Sequence, residues 1–331
     1  MARADLLYEL IQHGLAGEKA SFRLAAEAIC AEERAKQHVI LAKKLEELLE
    51  HDSQSLETRE VAPKPFGLRT LNGASLYQEI NPSKRLNQLV LTETTMKTCI
   101  EVIEEQMRSE LLRSYGIEPR NKILLYGPPG NGKTSLAEAI ANALMVPLYM
   151  VTYDTLIGAY LGETASNLAK LFEYARTRQC VLFFDEFETL GKERGDRHET
   201  GEIKRVVSSL LMNIDALPSY VVVIAATNHE ALLDIAAWRR FQVKIELGKP
   251  SVDDIQCWLS SFEKRMRFTF NIQLGNLAKR LLGKSYAEVE EFALSIYRQY
   301  ILKGFATDTR TLTEFRLNQD SSLSMHKNSS M

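Results

Sequence analysis

Eight consecutive residues, Gly127-Pro128-Pro129-Gly130-Asn131-Gly132-Lys133-Thr134, constrain this chain of 331 residues more than any other part of it. They fit the pattern G-x-x-x-x-G-K-[ST] and stand where that pattern has a physical meaning. The apolar run KILLY at 122–126 precedes them and a helical pattern over 134–144 follows. A strand that turns through glycines into a helix brings successive backbone N–H groups and the positive end of a helix dipole to one point, which suits a phosphate chain. Gly127, Gly130 and Gly132 let the backbone approach phosphate oxygens with no Cβ in the way. Lys133 is then expected at the β- and γ-phosphates and the Thr134 hydroxyl on Mg²⁺, with Ser135 closing the nucleotide-binding stretch.

A loop of this kind commits its surroundings to an α/β fold. Further continuous apolar runs stand at 147–151, 180–184 (CVLFF), 221–226 (VVVIAA) and 241–247, separated by helical patterns. Unbroken apolar strands alternating with helices predict a parallel sheet of five strands covered on both faces. Helical patterns return at 252–267, 274–282 and 286–303, and Ser285 followed by Glu288 predicts a capping box at the start of the last. Before the sheet, residues 3–13 and 18–50 read as a helical hairpin. Its apolar stripes are Phe22, Ala25 and Ile29, then Leu41, Leu45, Leu48 and Leu49. The expected organisation is an N-terminal helical partner or substrate domain at 1–52, a linker at 53–70, an α/β nucleotide-binding core at 71–249, a helical lid at 250–306 and a flexible tail at 307–331.

Charge narrows the partners. Lys plus Arg is 41 against 43 for Asp plus Glu, and no run of five basic residues occurs. A protein that drew its affinity from nucleic-acid phosphates would concentrate basic charge, so a nucleic-acid partner is not expected. Cys30, Cys99, Cys180 and Cys257 are far apart, with neither a CxxC pair nor zinc spacing, which predicts reduced and mostly buried thiols in a cytoplasmic protein. Asp5 and Glu9 interrupt any secretory h-region, and no apolar stretch is long enough to span a membrane.

The run CVLFF delivers Asp185 and Glu186 at its end. Two carboxylates presented by a buried strand, some fifty residues after a phosphate loop, complete what Mg²⁺-ATP chemistry needs. Asp185 is expected to hold the hydrated metal, and Glu186 to orient and polarise the attacking water.

GPPGNGKT, FFDEFE, AATN at 225–228 and WRRF at 238–241 occur in an order and spacing that resemble the AAA+ ATPases over about residues 76–304. The likeness is greatest to the AAA proteins proper, ring-forming remodellers of other molecules. It implies a P-loop NTPase core, a C-terminal helical lid, and a homo-oligomer, hexameric by family habit. Asn228 matches the polar residue that holds the water or γ-phosphate between the two nucleotide motifs. Arg239 and Arg240 resemble the arginine fingers that reach the ATP of a neighbouring subunit; their division of labour stays open, because the usual further basic residue is replaced by Gln242 and Val243. Gly283-Lys284-Ser285-Tyr286-Ala287 falls where AAA proteins start a lid helix near the adenine. Tyr286 replaces the usual small residue, and the lid contact is expected through backbone and apolar packing.

Tyr160-Leu161-Gly162-Glu163, ahead of a helix expected over 164–176, resembles the loop with which such rings grip an extended polypeptide; a second channel loop would fall at 197–201. The resemblance thus implies a protein unfoldase, remodeller or translocase. Among similar proteins are small bacterial AAA ATPases encoded beside subtilisin-like proteases; this chain has no HExxH or GxSxG, so proteolysis would need a separate partner, for which the tail from 307 is a candidate docking peptide. Two alternatives stay open on sequence: a nucleic-acid remodeller, which would not need Tyr160 and Leu161, and an ATP-dependent assembly switch or scaffold that binds and releases without threading.

Overall fold

The computed structural model describes residues 6, 12, 19–36, 38, 42–43, 76–151, 161–190, 199–233, 235–303 and 308–328. Its strands are β1 Tyr77–Ile80, β2 Lys122–Tyr126, β3 Leu148–Val151, β4 Cys180–Phe184, β5 Val221–Thr227 and β6 Val243–Glu246. They form one sheet in the order β1-β3-β4-β5-β2-β6. The five from β2 to β6 are parallel and coincide with the five apolar runs. The sixth corrects the expected strand count. β1 lies antiparallel along the edge of β3, with Tyr77 opposite Val151 and Ile80 opposite Leu148. Its sequence, YQEI, buries only its first residue fully, so it carries no strand signal of its own and is extended because β3 offers it a ladder.

The helices are α1 Lys19–Ala35, α2 Glu93–Met107, α3 Ser109–Ser114, α4 Lys133–Leu144, α5 Leu161–Arg176, α6 Glu199–Asp215, α7 Ile235–Arg240, α8 Val252–Met266, α9 Leu274–Leu281, α10 Tyr286–Leu302 and α11 Thr309–Asn328. Successive strand residues point to opposite faces and feed two cores. Leu124, Leu182, Phe184, Val223 and Ala225 meet Leu171 and Phe172 of α5 and Leu210 and Ile214 of α6. Ile123, Leu125, Val181, Phe183 and Ile224 meet Cys99 and Val102 of α2 and Leu136 and Ile140 of α4. Every residue of β4 and β5 is buried, and each such large side chain contributes about 1.5–3 kcal/mol by leaving water.

Helices α8 to α11 share a third core, built on Leu259, Phe262, Phe270, Leu277, Phe292, Ile296, Leu312 and Leu317. The last two correct the expectation of a flexible tail. Thr309, Leu312, Thr313 and Leu317 line one face of α11; Thr313 is fully buried, and Asn271 Nδ2 donates to Thr309 Oγ1 at 2.7 Å. Half of that face is threonine, which hides it from a hydrophobic-periodicity reading. The first part of the would-be docking peptide is therefore packed helix.

At the N-terminus, Ala25 and Ile29 of α1 are buried as their spacing predicts. The single helix expected over 18–50 breaks, however. α1 stops at Ala35, His38 N–H donates to Glu33 C=O at 2.9 Å, and the His38 ring lies 2.6 Å from the Glu33 carboxylate. The Leu41, Leu45, Leu48 and Leu49 stripe and the 53–70 linker lie outside the described residues. Cys30, Cys99 and Cys180 are buried and Cys257 is exposed. Among the described residues no helix is long and apolar enough to cross a membrane, and no cluster of side chains could hold a metal by itself.

Candidate nucleotide site

β2, β5 and β4 are adjacent and parallel, so the loops that leave their carboxyl ends emerge side by side. Tyr126 stands opposite Thr227, and Phe184 opposite Ala225. That register brings residues 127–134, Asn228 and the pair Asp185–Glu186 together, although about a hundred residues separate the first from Asn228.

The loop is anchored at both ends. Gly127 has φ +131°, and a Cβ there would lie 2.4 Å from the carbonyl oxygen of Leu247. Leu247 N–H in turn donates to Tyr126 C=O at 2.8 Å, so the end of β6 clamps the start of the loop. At the far end Gly132, with φ +85°, caps α4. Lys133 begins that helix and is only 6% exposed; its ammonium donates to Gly127 O at 2.7 Å and Pro128 O at 3.0 Å. Burial lowers its pKa, while the nearby carboxylates of Asp185 and Glu188 work against that. Asn131 is buried and its amide donates to Pro128 O. Thr134 Oγ1 lies 3.4 Å from Asp185 Oδ2, which brings the two expected magnesium ligands together. Ser135 instead accepts a hydrogen bond from Lys84 Nζ at 2.8 Å. Glu186 is exposed and holds φ +47°, a left-handed conformation uncommon for a side chain of its kind. Asp185 Oδ1 accepts its backbone N–H.

The lid helix starts on the phosphate loop. Ala287 N–H donates to Gly130 O at 2.9 Å, and Tyr286 N–H to Asn131 Oδ1 at 3.3 Å. The expected capping box is present, with Ser285 and Glu288 exchanging hydrogen bonds. Tyr286 does more than fill space: its hydroxyl donates to Val90 O at 3.2 Å, so it ties α10 to the segment ahead of α2.

The two arginines differ. Both end α7, whose Trp238 packs edge-on against Tyr126 at the end of β2. Arg240 Nε is 2.6 Å from Asp215 Oδ2, a carboxylate shared with Lys122. Arg239 is exposed and has no hydrogen bond or ion pair with any described residue. Tyr160 lies outside the described residues, as do 197 and 198 of the second channel segment, while its 199–201 open α6. Leu161 is the first residue of α5, so this helix begins three residues earlier than expected and takes in Leu161, Gly162 and Glu163.

One site residue escaped the sequence reading. Glu188, in the 3-10 turn Phe187–Leu190, is 3% exposed, and its Oε1 accepts the backbone N–H of Asn228 at 3.1 Å. Its only signal is an acidic residue two positions after Glu186, with Phe187 buried between them. Asn228 itself is partly buried, and among the described residues its side-chain amide has no partner.

Comparison with known proteins places the chain in a family. Residues 123–249 match the family described as "ATPase family associated with various cellular activities (AAA)". An uncharacterized AAA family ATPase, y4kL, of Sinorhizobium fredii is 36% identical over 303 residues, covering 92% of this chain and 91% of that protein. A putative 26S proteasome regulatory subunit homolog of Methanothermobacter marburgensis is 36% identical over 241 residues, 70% of this chain and 64% of its own length. The peroxisomal ATPase pex6 of Schizosaccharomyces pombe is 33% identical over 229 residues, 63% of this chain but only 24% of its own. The buried phosphate loop, the paired carboxylates beside it and a relative matched nearly end to end agree: the chain belongs to the AAA family and is an ATPase.

Proposed function

We propose that the protein is a Mg²⁺-ATP-driven, ring-forming machine that remodels, unfolds or translocates other proteins in the cytoplasm. The observation that carries the reading is that one chain holds the cradle, the carboxylates and Asn228 together, while Arg239, next to an Arg240 that is paired to Asp215 near the start of β2, stands exposed with no partner among the described residues. A cation of this kind, on a helix braced against the phosphate-loop strand, is suited to the phosphates of a second subunit. Head-to-tail repetition of such a contact closes a ring, hexameric in the family's manner. Relatives named for the proteasome regulatory subunit and for the peroxisomal ATPase support a protein-directed use of the energy.

In this reading residues 127–135 cradle the nucleotide, and Thr134 and Asp185 hold the magnesium, which neutralises charge on the phosphates. Glu186 orients and activates the attacking water, and Asn228 holds that water or the γ-phosphate. Lys133 supplies positive charge at the β- and γ-phosphates, while Arg239, on the helix that Arg240 fastens to Asp215, supplies it from the neighbouring subunit. Hydrolysis changes the angle between the α/β core and the lid, and the loops carrying Tyr160 and Leu161 draw substrate through the channel. A separate protease could receive what is threaded.

The test pairs two variants. Glu186→Gln should bind ATP and hydrolyse it very slowly, holding substrates and partners in an ATP-bound ring for recovery from native cells. Tyr160→Ala should keep most of the ATPase and lose substrate processing. Undiminished processing by Tyr160→Ala removes the threading step and leaves the assembly-switch reading.

A further inference from the structure

Glu188 is the buried carboxylate of the site that the chemistry above does not use. One of its oxygens is spoken for: Oε1 accepts the Asn228 backbone N–H at 3.1 Å. The other, Oε2, is buried with no hydrogen-bond partner among the described residues. Taking a carboxylate out of water and leaving half of it unsatisfied is costly, and an uncharged side chain of similar size would avoid the penalty. The one hydrogen bond it does make among the described residues, to the Asn228 N–H, defines its task.

Its placement says what the task is. Glu188 follows β4 and Asn228 follows β5, and these two strands are neighbours. The bond therefore ties the segment bearing Asp185 and Glu186 to the segment bearing Asn228. On the far side of Asn228, the fully buried Thr227 accepts the His229 backbone N–H at 3.1 Å through its Oγ1. The main chain is thus held on both flanks of Asn228 while its side-chain amide makes no bond to any described residue. Glu186, in its left-handed backbone conformation, is two residues from Glu188 on the same short segment. A shift of the Glu188 turn would move Glu186 and Asn228 relative to each other.

We propose that Glu188 is a positioning residue for ATP hydrolysis: its buried carboxylate clamps the backbone N–H of Asn228, setting the distance between the Asn228 amide and the Glu186 carboxylate across which the attacking water must sit. The proposal rests on the roles given to Asn228 and Glu186 under Proposed function. The clamp acts on the rate of the chemical step. Glu188 makes no hydrogen bond to residues 127–134, and Glu188→Gln, which keeps the clamp but removes the charge near Lys133, separates positioning from any electrostatic effect on the cradle.

The test is a double-mutant cycle with two readouts. Glu188→Ala should lower kcat by roughly 10- to 100-fold, the scale of a reacting group misplaced by about an ångström, with KM for ATP and the affinity for a fluorescent ADP analogue within about twofold. Glu188→Gln, whose amide carbonyl still accepts the Asn228 N–H, should recover most of the rate. Adding Asn228→Ala to Glu188→Ala should cost little beyond Asn228→Ala alone, because both remove one function. Hydrogen exchange on the peptide spanning 225–230 should be faster in Glu188→Ala and unchanged in Glu188→Gln. Should Glu188→Ala fail to fold, Glu188→Asp, one methylene shorter, takes its place and must show the same loss of kcat. Additive effects, a loss of nucleotide affinity equal to the loss of rate, or a Glu188→Gln variant as slow as Glu188→Ala would each overturn the proposal. An Asn228→Ala variant with full activity would instead overturn the role of Asn228 on which it rests.

Discussion

Replacing Gly127 by alanine measures how firmly the phosphate loop is fastened to the sheet. The added Cβ would sit 2.4 Å from Leu247 O and 3.0 Å from Leu247 C. The carbonyl has little room to retreat, because Leu247 N–H is bonded to Tyr126 O and the preceding residue, Glu246, is in register with Tyr126. Two costs therefore add. A side chain at φ +131° carries about 1–3 kcal/mol of backbone strain. Forcing a methyl into a closed contact adds about 1–3 kcal/mol. Together they make a loss of about 2–6 kcal/mol, a large part of the 5–15 kcal/mol by which domains are stable. Gly132→Ala is the internal control: φ is +85°, but no atom lies within 4 Å of the new Cβ, so only the backbone cost of about 1–3 kcal/mol applies. The chain has two tryptophans, and Trp238 packs on Tyr126 at the loop's entry. In a Trp258→Phe background, its fluorescence during urea unfolding reports the stability of this region. Gly127→Ala should unfold at clearly lower urea than Gly132→Ala, with the same dependence on denaturant. Losses that agree to within about 0.5 kcal/mol would refute the argument that the Leu247 carbonyl sets the limit.

Arg239→Ala should lower ATPase activity by about three orders of magnitude, and mixing it with Lys133→Ala should restore part of that activity, since each subunit then supplies what its neighbour lacks; mixed rings that stay inactive would contradict action between subunits. Glu105 is partly buried, which raises its pKa, but hydrogen bonds and charge from Arg120 outweigh this and hold the carboxyl below its ordinary 4.5. A lowered carboxyl pKa stabilises the fold above 4.5 and loses that contribution as pH falls through the lowered value, so wild-type melting temperature should drop more steeply than that of Glu105→Gln below pH 4.5. Parallel melting curves would remove Arg120 as the cause.

The parts of this structure that were legible in the sequence are those where one residue type has one physical use. KILLY, CVLFF and VVVIAA can only be buried strands, and a lysine after three spaced glycines has few roles besides phosphate. What escaped depended on tertiary partners. YQEI is a strand because β3 has a free edge, and α11 is fastened by threonines whose hydroxyls find local acceptors, as Thr313 does on Thr309. The break after Ala35 uses neither glycine nor proline, and rests on a histidine meeting a glutamate five residues back. Arg239 and Arg240 are equivalent as letters; only Asp215, far away in sequence, separates them. Glu188 reads as a solvated turn residue until β4 and β5 are laid side by side.

The start of α10 on the phosphate loop has a mechanical consequence. Two N–H groups from the first turn of that helix end on Gly130 and Asn131, and the Tyr286 hydroxyl pins the same turn to Val90. Bonds of this type are each worth about 0.5–1.5 kcal/mol net, so the joint as a whole holds with only a few kcal/mol. The lid is then a lever whose fulcrum is the loop itself. It cannot swing without either dragging Gly130 and Asn131 with it or letting go of them, and a force applied to the far end of α10 is felt first by that glycine-rich loop.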